Sequence, residues 1–525
     1  MLRSQPETAG DFAGVNKEGK QTYGQILKSS VLIGGSSVFN IGLRIIRTKA
    51  MALILGPSGF GLMNTYWLIT QFTSNVAGLG INNSGVRQIA EAVGTGDSGR
   101  IARTVTTLRR VALCSGAVGA LLLFALSGPV SWLTFGDVRH VGAVALLSLA
   151  VFLGDISNAQ AALVQGMRQI GDLARMSILG ALYGTVFSIV IVYYFYRQGV
   201  AEKGVAPSVV CLAAMSILTS WWYARKIKVE RVLLTLRQVK DEASELVKLG
   251  VVFMSSGLIT MGSAYLVNVL LLHKFGLAGA GFYSSAWTLG GYYVGFILQA
   301  MGTDFYPRLT AVAHDNTECN RLVNEQAEVG LLFAGPGVIA TLTFAPLVIH
   351  LFYAAAFSPA VEILRWIGLG MLLRVASWPM AYLLVAKGER KLYFWSELLS
   401  NVLSVSLVWI GLVFFGLTGA GMAFFALYVV YWAGIYLVVR RVSGFRWSSA
   451  NRQLALLILP TVTAVFAGWY LLPRSGAMVL GGVLTLLAGL YSAKTLCALV
   501  PLERFPMPAR KLILFFRLAP SSTNG

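Results

Sequence analysis

Residues 29–62 read SSVLIGGSSVFNIGLRIIRTKAMALILGPSGFGL and contain the pattern that decides the fold. An apolar helical segment covers residues 29–53. Within it, Asn40, Arg44 and Arg47 recur at spacings of four and three, which places them on one helical face. Glycines and a proline then form a tight turn, after which a second apolar segment begins. The stretch predicts two membrane-spanning helices joined by a hairpin turn, with cations inside the first.

Apolar segments of similar length recur along the whole chain. The 525 residues are 56% hydrophobic and only 12% charged, a composition that excludes an ordinary soluble globular protein. We predict an all-α polytopic membrane protein with about 14 transmembrane helices of roughly 20 residues each. The predicted spans are 29–53, 62–86, 107–128, 140–165, 173–196, 205–224, 248–272, 281–305, 328–352, 362–385, 393–415, 419–439, 453–472 and 477–499.

The excess of basic residues follows the membrane topology. A net charge of +20 could indicate nucleic-acid binding, but most of the 42 Lys and Arg residues fall in the loops and tails on one side of the predicted spans. This is the distribution typical of cytoplasmic segments. We therefore predict cytoplasmic termini at both ends and no nucleic-acid partner.

The sequence offers no chemistry of an enzyme. It contains no P-loop, and its four histidines and four cysteines show no metal-ligand spacing. The predicted outward loops are short and leave no room for an outer catalytic domain. We expect neither catalytic residues nor a cofactor or metal.

The hairpin turn is duplicated. The glycines of the first turn, Gly56, Gly59 and Gly61, return 220 residues later as Gly276, Gly279 and Gly281. Such a long period is typical of two homologous bundles, and an even number of spans per period gives both the same orientation in the membrane. The alternative is that G-x-x-G-x-G is common turn chemistry, since residues 416–421 repeat it.

The duplication predicts two pseudo-symmetric six-helix lobes followed by two additional helices. The N-lobe covers 25–224 and the C-lobe 248–440, with a basic amphipathic cytoplasmic linker at 225–247 that we expect to form an interfacial helix. Cytoplasmic tails at 1–24 and 501–525 enclose the lobes and the additional helices at 441–500.

Arginines inside the predicted spans are candidates for an anion-binding site. Cations in a membrane helix face a protein interior, a watery cavity or a partner. Guanidinium groups bind phosphate oxygens bidentately and stay protonated, so Arg44, Arg47 and Arg374 predict an anion site, with Asn40 on the same face as the first two. Arg365 is a further candidate for this site. The alternative for all these arginines is structural ion pairing, and Arg365 could pair with Glu362 one turn earlier.

Two acids also lie within predicted spans. Asp155 is in the middle of the fourth and Glu397 is early in the eleventh. Either could take up a proton or coordinate Na⁺. Either could equally be the counter-ion of Arg44, Arg47 or Arg374.

Several segments resemble a known family of transporters. The hairpin at 47–62, the segment LVQGMR at 163–168, Arg374, YLLVAK at 382–387 and FWSE at 394–397 are similar to Wzx-type lipid-linked oligosaccharide flippases, which belong to the superfamily of multidrug, oligosaccharidyl-lipid and polysaccharide exporters (MOP). The likeness covers about 25–440 and is closest to the O-antigen and enterobacterial common antigen translocases. The chain departs from the shorter members by its two additional helices.

The resemblance implies a multi-pass protein of the bacterial inner membrane. It would move an undecaprenyl-pyrophosphate-linked oligosaccharide to the periplasmic leaflet by alternating access driven by a gradient of H⁺ or Na⁺. Arg44, Arg47 and Arg374 would supply the cationic lining of its cavity, and Glu397 falls on an acidic position of the family pattern. Membrane lipids, a polysaccharide polymerase and a chain-length regulator are the implied partners.

Other functions remain open at this point. A flippase for another lipid-linked precursor such as peptidoglycan lipid II, or a MATE-like drug or cation antiporter, would share the architecture. An antiporter that selects cations should present acids to its cavity, whereas these spans carry more arginine than acid. A membrane glycan polymerase or ligase would need longer outward loops.

Overall fold

The computed structural model describes residues 11–229, 232 and 235–499, and these are helical apart from short connections. Because lipid offers no hydrogen bonds to the backbone, helices are the expected form for these apolar segments. The helices are α1 (Asp11–Ala77), α2 (Ile81–Thr95), α3 (Ser98–Ala125), α4 (Ser127–Phe135), α5 (Val141–Gly166), α6 (Ile170–Arg197), α7 (Val205–Ala224), α8 (Leu236–Ala311), α9 (Asn316–Phe352), α10 (Ala360–Ala386), α11 (Arg390–Phe415), α12 (Gly419–Ser443), α13 (Ser449–Leu471) and α14 (Arg474–Leu499). Single 3₁₀ turns occupy Ala201–Gly204, Ala355–Phe357 and Gly416–Thr418.

The prediction of an all-α polytopic membrane protein is confirmed. Within the described residues, ten helical segments are long and apolar enough to cross a membrane. Two of them, Gly257–Gln299 and Arg390–Ser443, each contain two predicted spans. The first two predicted spans, which form α1, are not among the ten, so fourteen remains an approximate number of crossings.

The duplicated hairpin turn has the same backbone conformation in both copies. Gly56 has φ 64° and ψ −173°, and Gly276 has φ 67° and ψ −171°. These positive φ values are open to glycine and unfavourable for other residues. Gly416 has φ 63° and ψ −149°, so the turn chemistry also recurs outside the 220-residue period.

Two segments differ from the expected element boundaries. Helix α1 begins at Asp11, inside the predicted cytoplasmic tail. The second half of the predicted linker is not a separate interfacial helix, because the residues from Leu236 onward form the first turns of α8. Residues 236–249 contain neither proline nor glycine, so no helix-breaking residue ends the helix at the boundary with the span. Residues 1–10, 230, 231, 233, 234 and 500–525 lie outside the described residues, including the predicted tail at 501–525.

The chain divides into two compact units. Unit 1 contains residues up to 55 together with 65–262, and unit 2 contains 56–64 together with 263 onward. The lobes at 25–224 and 248–440 therefore stay a prediction, since the units assign the first hairpin turn and the start of α8 differently. In unit 1, α5 packs against α2, α3 and α7, and α6 packs against α7. In unit 2, α10 is the most buried helix and packs between α9 and α12.

The first hairpin turn is packed inside unit 2. Phe60 is 5% exposed and meets the rings of Tyr353 and Phe357 edge to face, with centroids 5.3 and 5.8 Å away. The backbones of the two hairpin turns also cross closely. A Cβ atom on Gly61 would collide with the carbonyl of Leu277, and one on Gly281 would collide with the carbonyl of Pro57. Glycine at 61 and 281 is therefore required by close packing.

A polar network joins α9 to the end of α12 and the start of α13, the first of the two additional helices. The Asn324 side chain accepts a hydrogen bond from the Ser448 amide at 2.8 Å, and the Asn451 amide group donates to the Asn324 carbonyl at 2.9 Å. Asn320 donates to the Ser443 carbonyl at 2.9 Å. Both α13 and α14 pack against α9, so these helices are part of unit 2.

Replacing Gly281 with alanine should destabilise the protein by about 1–3 kcal/mol, the cost of overpacking a close contact. Gly291→Ala is the matched control in the same helix, because a Cβ atom there meets nothing within 4 Å. Thermal unfolding of the purified protein in detergent measures both. Equal stability of the two variants would contradict the close crossing.

Candidate functional site

The polar face of α1 in unit 1 carries both a helix contact and cations. Asn40 donates to the Ser177 hydroxyl of α6 at 2.8 Å, which fixes α1 against α6. Arg44, one turn further on, is exposed, and Arg47 is half-buried. Among the described residues no carboxylate lies within 4 Å of Arg44. Asn40 is thus a packing residue in this structure, whereas Arg44 keeps its guanidinium accessible.

Arg365 in unit 2 is held by structural contacts. Its side chain is 5% exposed, and its Nη1 lies 2.5 Å from the Glu362 carboxylate. The guanidinium also stacks 4.0 Å above the Trp469 ring, and Tyr470 donates to the second Glu362 oxygen at 2.7 Å. Because a buried cation needs a partner, the Glu362 carboxylate of α10 and the Trp469 ring of α13 compensate its charge. The ion pair between Arg365 and Glu362, which the sequence indicated as the alternative to a role in the cavity, is present.

Arg374, nine residues further along α10, has a different environment. Its Nη1 lies 3.9 Å from the Met371 sulfur, and its guanidinium lies 5.9 Å from the centre of the Tyr428 ring. It interacts electrostatically with Glu397 of α11, but no ion pair within 4 Å holds it in the described part of the chain. A half-buried guanidinium without a close carboxylate keeps its donors for another acceptor.

Arg374 belongs to a polar and aromatic cluster that three helices build. We call Arg374, Tyr393, Glu397, Tyr428 and Tyr431 the Arg374 cluster; Tyr393 and Glu397 come from α11, and Tyr428 and Tyr431 from α12. All five side chains are half-buried. A cation among tyrosines combines an anion-binding group with apolar faces that carry hydroxyls. The tyrosines were not predicted as site residues. The only sequence signal is the i, i+3 spacing of Tyr428 and Tyr431.

Asp155 in unit 1 is a buried acid. It is 3% exposed, and neither carboxylate oxygen has a well-formed hydrogen bond to the described residues, although the Ser74 hydroxyl lies nearby. Its neighbours Gly78 and Gly116 bring backbone close to the carboxyl group. No ion pair in the described ranges joins it to an arginine, so the counter-ion interpretation has no support here.

The backbone beside Asp155 is interrupted. Helix α1 ends at Ala77 and α2 starts at Ile81, and the connection contains Leu79 with φ 48° and Gly80 with φ 64°. Positive φ is uncommon for a leucine. In transporters, helix ends of this kind leave carbonyl groups available for cations. Asp155 and the interrupted helix together form a candidate cation site.

Comparison with known proteins places the chain in a family. Residues 50–362 match the family described as "Polysaccharide biosynthesis protein". The chain belongs to this family. It is similar to the Lipid III flippases of Escherichia coli (strain K12) and Shigella flexneri, each 24% identical over 431 residues that cover 79% of this chain and 99% of the relative. The resemblance to Wzx-type flippases is thereby confirmed, and these relatives are transporters rather than enzymes.

Solved structures with the same fold belong to the MOP superfamily. An inward-facing multidrug resistance MATE transporter has a TM-score of 0.64 at 16% identity, covering 77% of this chain and 94% of its own. The Lipid II flippase MurJ in an inward closed conformation has a TM-score of 0.63 at 12% identity, covering 90% of this chain and 98% of its own. At these identities the likeness shows the fold alone, and it confirms the MATE-like architecture.

The two arginines of α10 should respond differently to neutralisation. Arg365→Gln should lower the free energy of unfolding by about 2 kcal/mol, less than the loss for a fully buried pair, because Glu362 is partly exposed. Arg374→Gln breaks no close ion pair and should leave stability within about 0.5 kcal/mol. Thermal unfolding in detergent distinguishes them. A larger loss for Arg374→Gln would show that Arg374 is the structural residue.

Proposed function

We propose that this protein moves an oligosaccharide linked to undecaprenyl pyrophosphate from the cytoplasmic to the periplasmic leaflet of the bacterial inner membrane, with both termini in the cytoplasm. The observation that carries the proposal is Arg374, a cation within a membrane helix that no carboxylate of the described residues pairs closely. Such a group is costly in a membrane unless an anion compensates it. The similarity to Lipid III flippases supports a lipid-linked glycan as that anion.

The pyrophosphate is the part of such a substrate that these residues would recognise. In unit 2 the candidate ligand for its oxygens is Arg374, and in unit 1 the candidates are Arg44 and Arg47. The Arg374 cluster adds tyrosine rings and hydroxyls that suit a sugar. Arg365 and Asn40, which also stood as candidates, are assigned to packing because each already makes a side-chain contact in the protein, Arg365 with Glu362 and Asn40 with Ser177.

Asp155 is our candidate for coupling transport to an ion gradient. Among the described residues no cation pairs with this buried carboxylate, so binding H⁺ or Na⁺ there would offset an unfavourable buried charge. Glu397 is the second candidate, but it already interacts with Arg374. Ion binding at Asp155 would favour one conformation of unit 1 over another.

A lipid II cargo is the main alternative. The Lipid II flippase MurJ shares the fold over 90% of this chain. Export of cationic drugs fits less well, because the accessible charges at Arg44 and Arg374 are positive. Transport assays with both lipid-linked substrates separate the two flippase functions.

Neutralising the proposed pyrophosphate ligands should slow transport. In proteoliposomes that contain a fluorescent lipid-linked oligosaccharide, Arg374→Gln and Arg44→Gln should each reduce the flipping rate about tenfold or more, since a hydrogen bond to a charged group contributes about 1.5–3 kcal/mol. Arg374→Lys should recover part of the rate, because it keeps the charge and loses the bidentate geometry.

Arg139→Gln is the matched control for these substitutions. Arg139 pairs with Asp137 outside the spans, and its side chain is 84% exposed. Its removal should leave flipping unchanged. Wild-type rates for all the Arg44 and Arg374 variants, with normal reconstitution, would refute the proposed pyrophosphate site.

Asp155→Asn should separate transport from the ion gradient. The variant should still equilibrate the substrate between leaflets, while an imposed H⁺ or Na⁺ gradient should no longer change the rate or the final distribution. Leaflet-resolved transport with and without each gradient is the measurement. A variant that responds to the gradient as the wild type does would exclude Asp155 as the coupling residue.

A further inference from the structure

A groove runs between α6 and α7 on the surface of unit 1. Its cavity has a volume of about 370 Å³, which is within the range of small-ligand pockets. Five of its residues come from α7 and three from α6: Met215, Leu218, Thr219, Trp222 and Tyr223, with Leu179, Tyr183 and Phe187. The lining is apolar almost throughout, so hydrocarbon is the material it suits.

Two glycines of α6 bring the helices together at the floor of this groove. A Cβ atom on Gly180 would lie 3.0 Å from the Thr219 hydroxyl, and one on Gly184 would lie 2.8 Å from the Leu212 side chain. The Thr219 hydroxyl donates to the backbone carbonyl of Met215 at 2.9 Å. The floor is therefore closed and its polar group is satisfied. The larger side chains on either side form walls.

The walls leave large apolar surface open. Tyr183, Phe187, Leu218 and Trp222 are each between 45% and 55% exposed. In a membrane helix such a surface faces lipid. An extended acyl chain fits lengthwise between these side chains. The groove reaches Trp222 and Tyr223 at the end of α7, where tryptophan and tyrosine are typical of the membrane interface.

Two cations lie at this end of the groove. The Arg225 guanidinium lies 3.6 Å above the Trp222 ring and 4.7 Å from the Trp221 ring, and the Lys226 ammonium lies 4.2 Å above Tyr223. Trp222 and Tyr223 line the groove themselves, so the charges sit directly at its mouth. Neither cation has an acidic partner among the residues that the structure describes. A guanidinium stacked on a ring keeps its edge N–H groups available for phosphate oxygens.

We infer that this groove, with Arg225 and Lys226 at its mouth, binds an anionic phospholipid of the bilayer. One acyl chain lies between Tyr183, Phe187, Leu218 and Trp222, and the phosphate diester lies on Arg225 and Lys226. The positive charges of Arg225 and Lys226 favour an anionic head group. The apolar groove favours a molecule that carries an acyl chain. The site is separate from the Arg374 cluster and does not depend on the proposed transport.

The test compares lipids that differ in one part. Purified protein in detergent is titrated with phosphatidylglycerol, with phosphatidylcholine carrying the same chains, and with glycerol phosphate, and bound lipid is counted by native mass spectrometry. Phosphatidylglycerol should bind about tenfold more tightly than phosphatidylcholine, because both carry the phosphate diester but the choline of phosphatidylcholine adds a positive charge that Arg225 and Lys226 repel. Glycerol phosphate, which has no chain, should not bind at the same concentrations.

Variants assign the binding to this groove. Arg225→Gln combined with Lys226→Gln should reduce phosphatidylglycerol affinity to that of phosphatidylcholine. Arg440→Gln combined with Arg441→Gln removes two exposed charges from the end of α12 and should have no effect. Leu218→Trp fills the groove from a half-exposed position and should weaken both phospholipids. Equal affinities for the two phospholipids in the wild type, or equal effects of the two double variants, would overturn the site.

Discussion

The free-energy cost of placing charge in hydrocarbon is the constraint on which the rest of this structure depends. Each ionised side chain within a span must find a partner in the protein, reach water or meet a charged ligand. Arg365 takes the first solution, with Glu362, Trp469 and Tyr470 around one buried guanidinium. Arg374 and Asp155 have no close ion pair among the described residues, and this difference separates candidate functional charges from structural ones.

The backbone meets a related constraint through glycine. The hairpin turns at Gly56 and Gly276 need positive φ, whereas Gly61 and Gly281 allow two chains to cross without side chains between them. These contacts hold the first hairpin turn inside unit 2, where Phe60 packs on Tyr353 and Phe357. A transporter that changes conformation needs contacts between its helices that are specific but can separate. Small residues and a few aromatic rings provide such contacts.

Much of the fold could be predicted from local patterns. The lengths of the apolar segments predicted the helices. The repeated glycine spacing predicted two hairpin turns, whose backbone conformations agree within a few degrees. The Arg365–Glu362 pair followed from positions one turn apart on a helix. Each of these features depends on residues that are close in sequence, so the sequence alone contains the information.

Other features depend on packing between distant segments and could not be predicted. Tyr428 and Tyr431 join Arg374 only because α10, α11 and α12 pack together. Asp155 has no ion pair with a cation of the described residues, and this depends on all the helices around it, whereas the sequence could only name arginines as possible partners. The same limit applies to Asn40, whose contact with Ser177 crosses 137 residues.

The most direct measurement varies the charge of the substrate instead of the protein. Proteoliposomes with the wild-type protein would receive the same oligosaccharide on a polyprenyl pyrophosphate and on an uncharged polyprenyl ether. If the arginines within the spans bind the anionic pyrophosphate, the substrate with a pyrophosphate should cross the membrane rapidly. The uncharged substrate should cross no faster than in protein-free vesicles. Equal protein-dependent rates for the two forms would contradict recognition of the pyrophosphate.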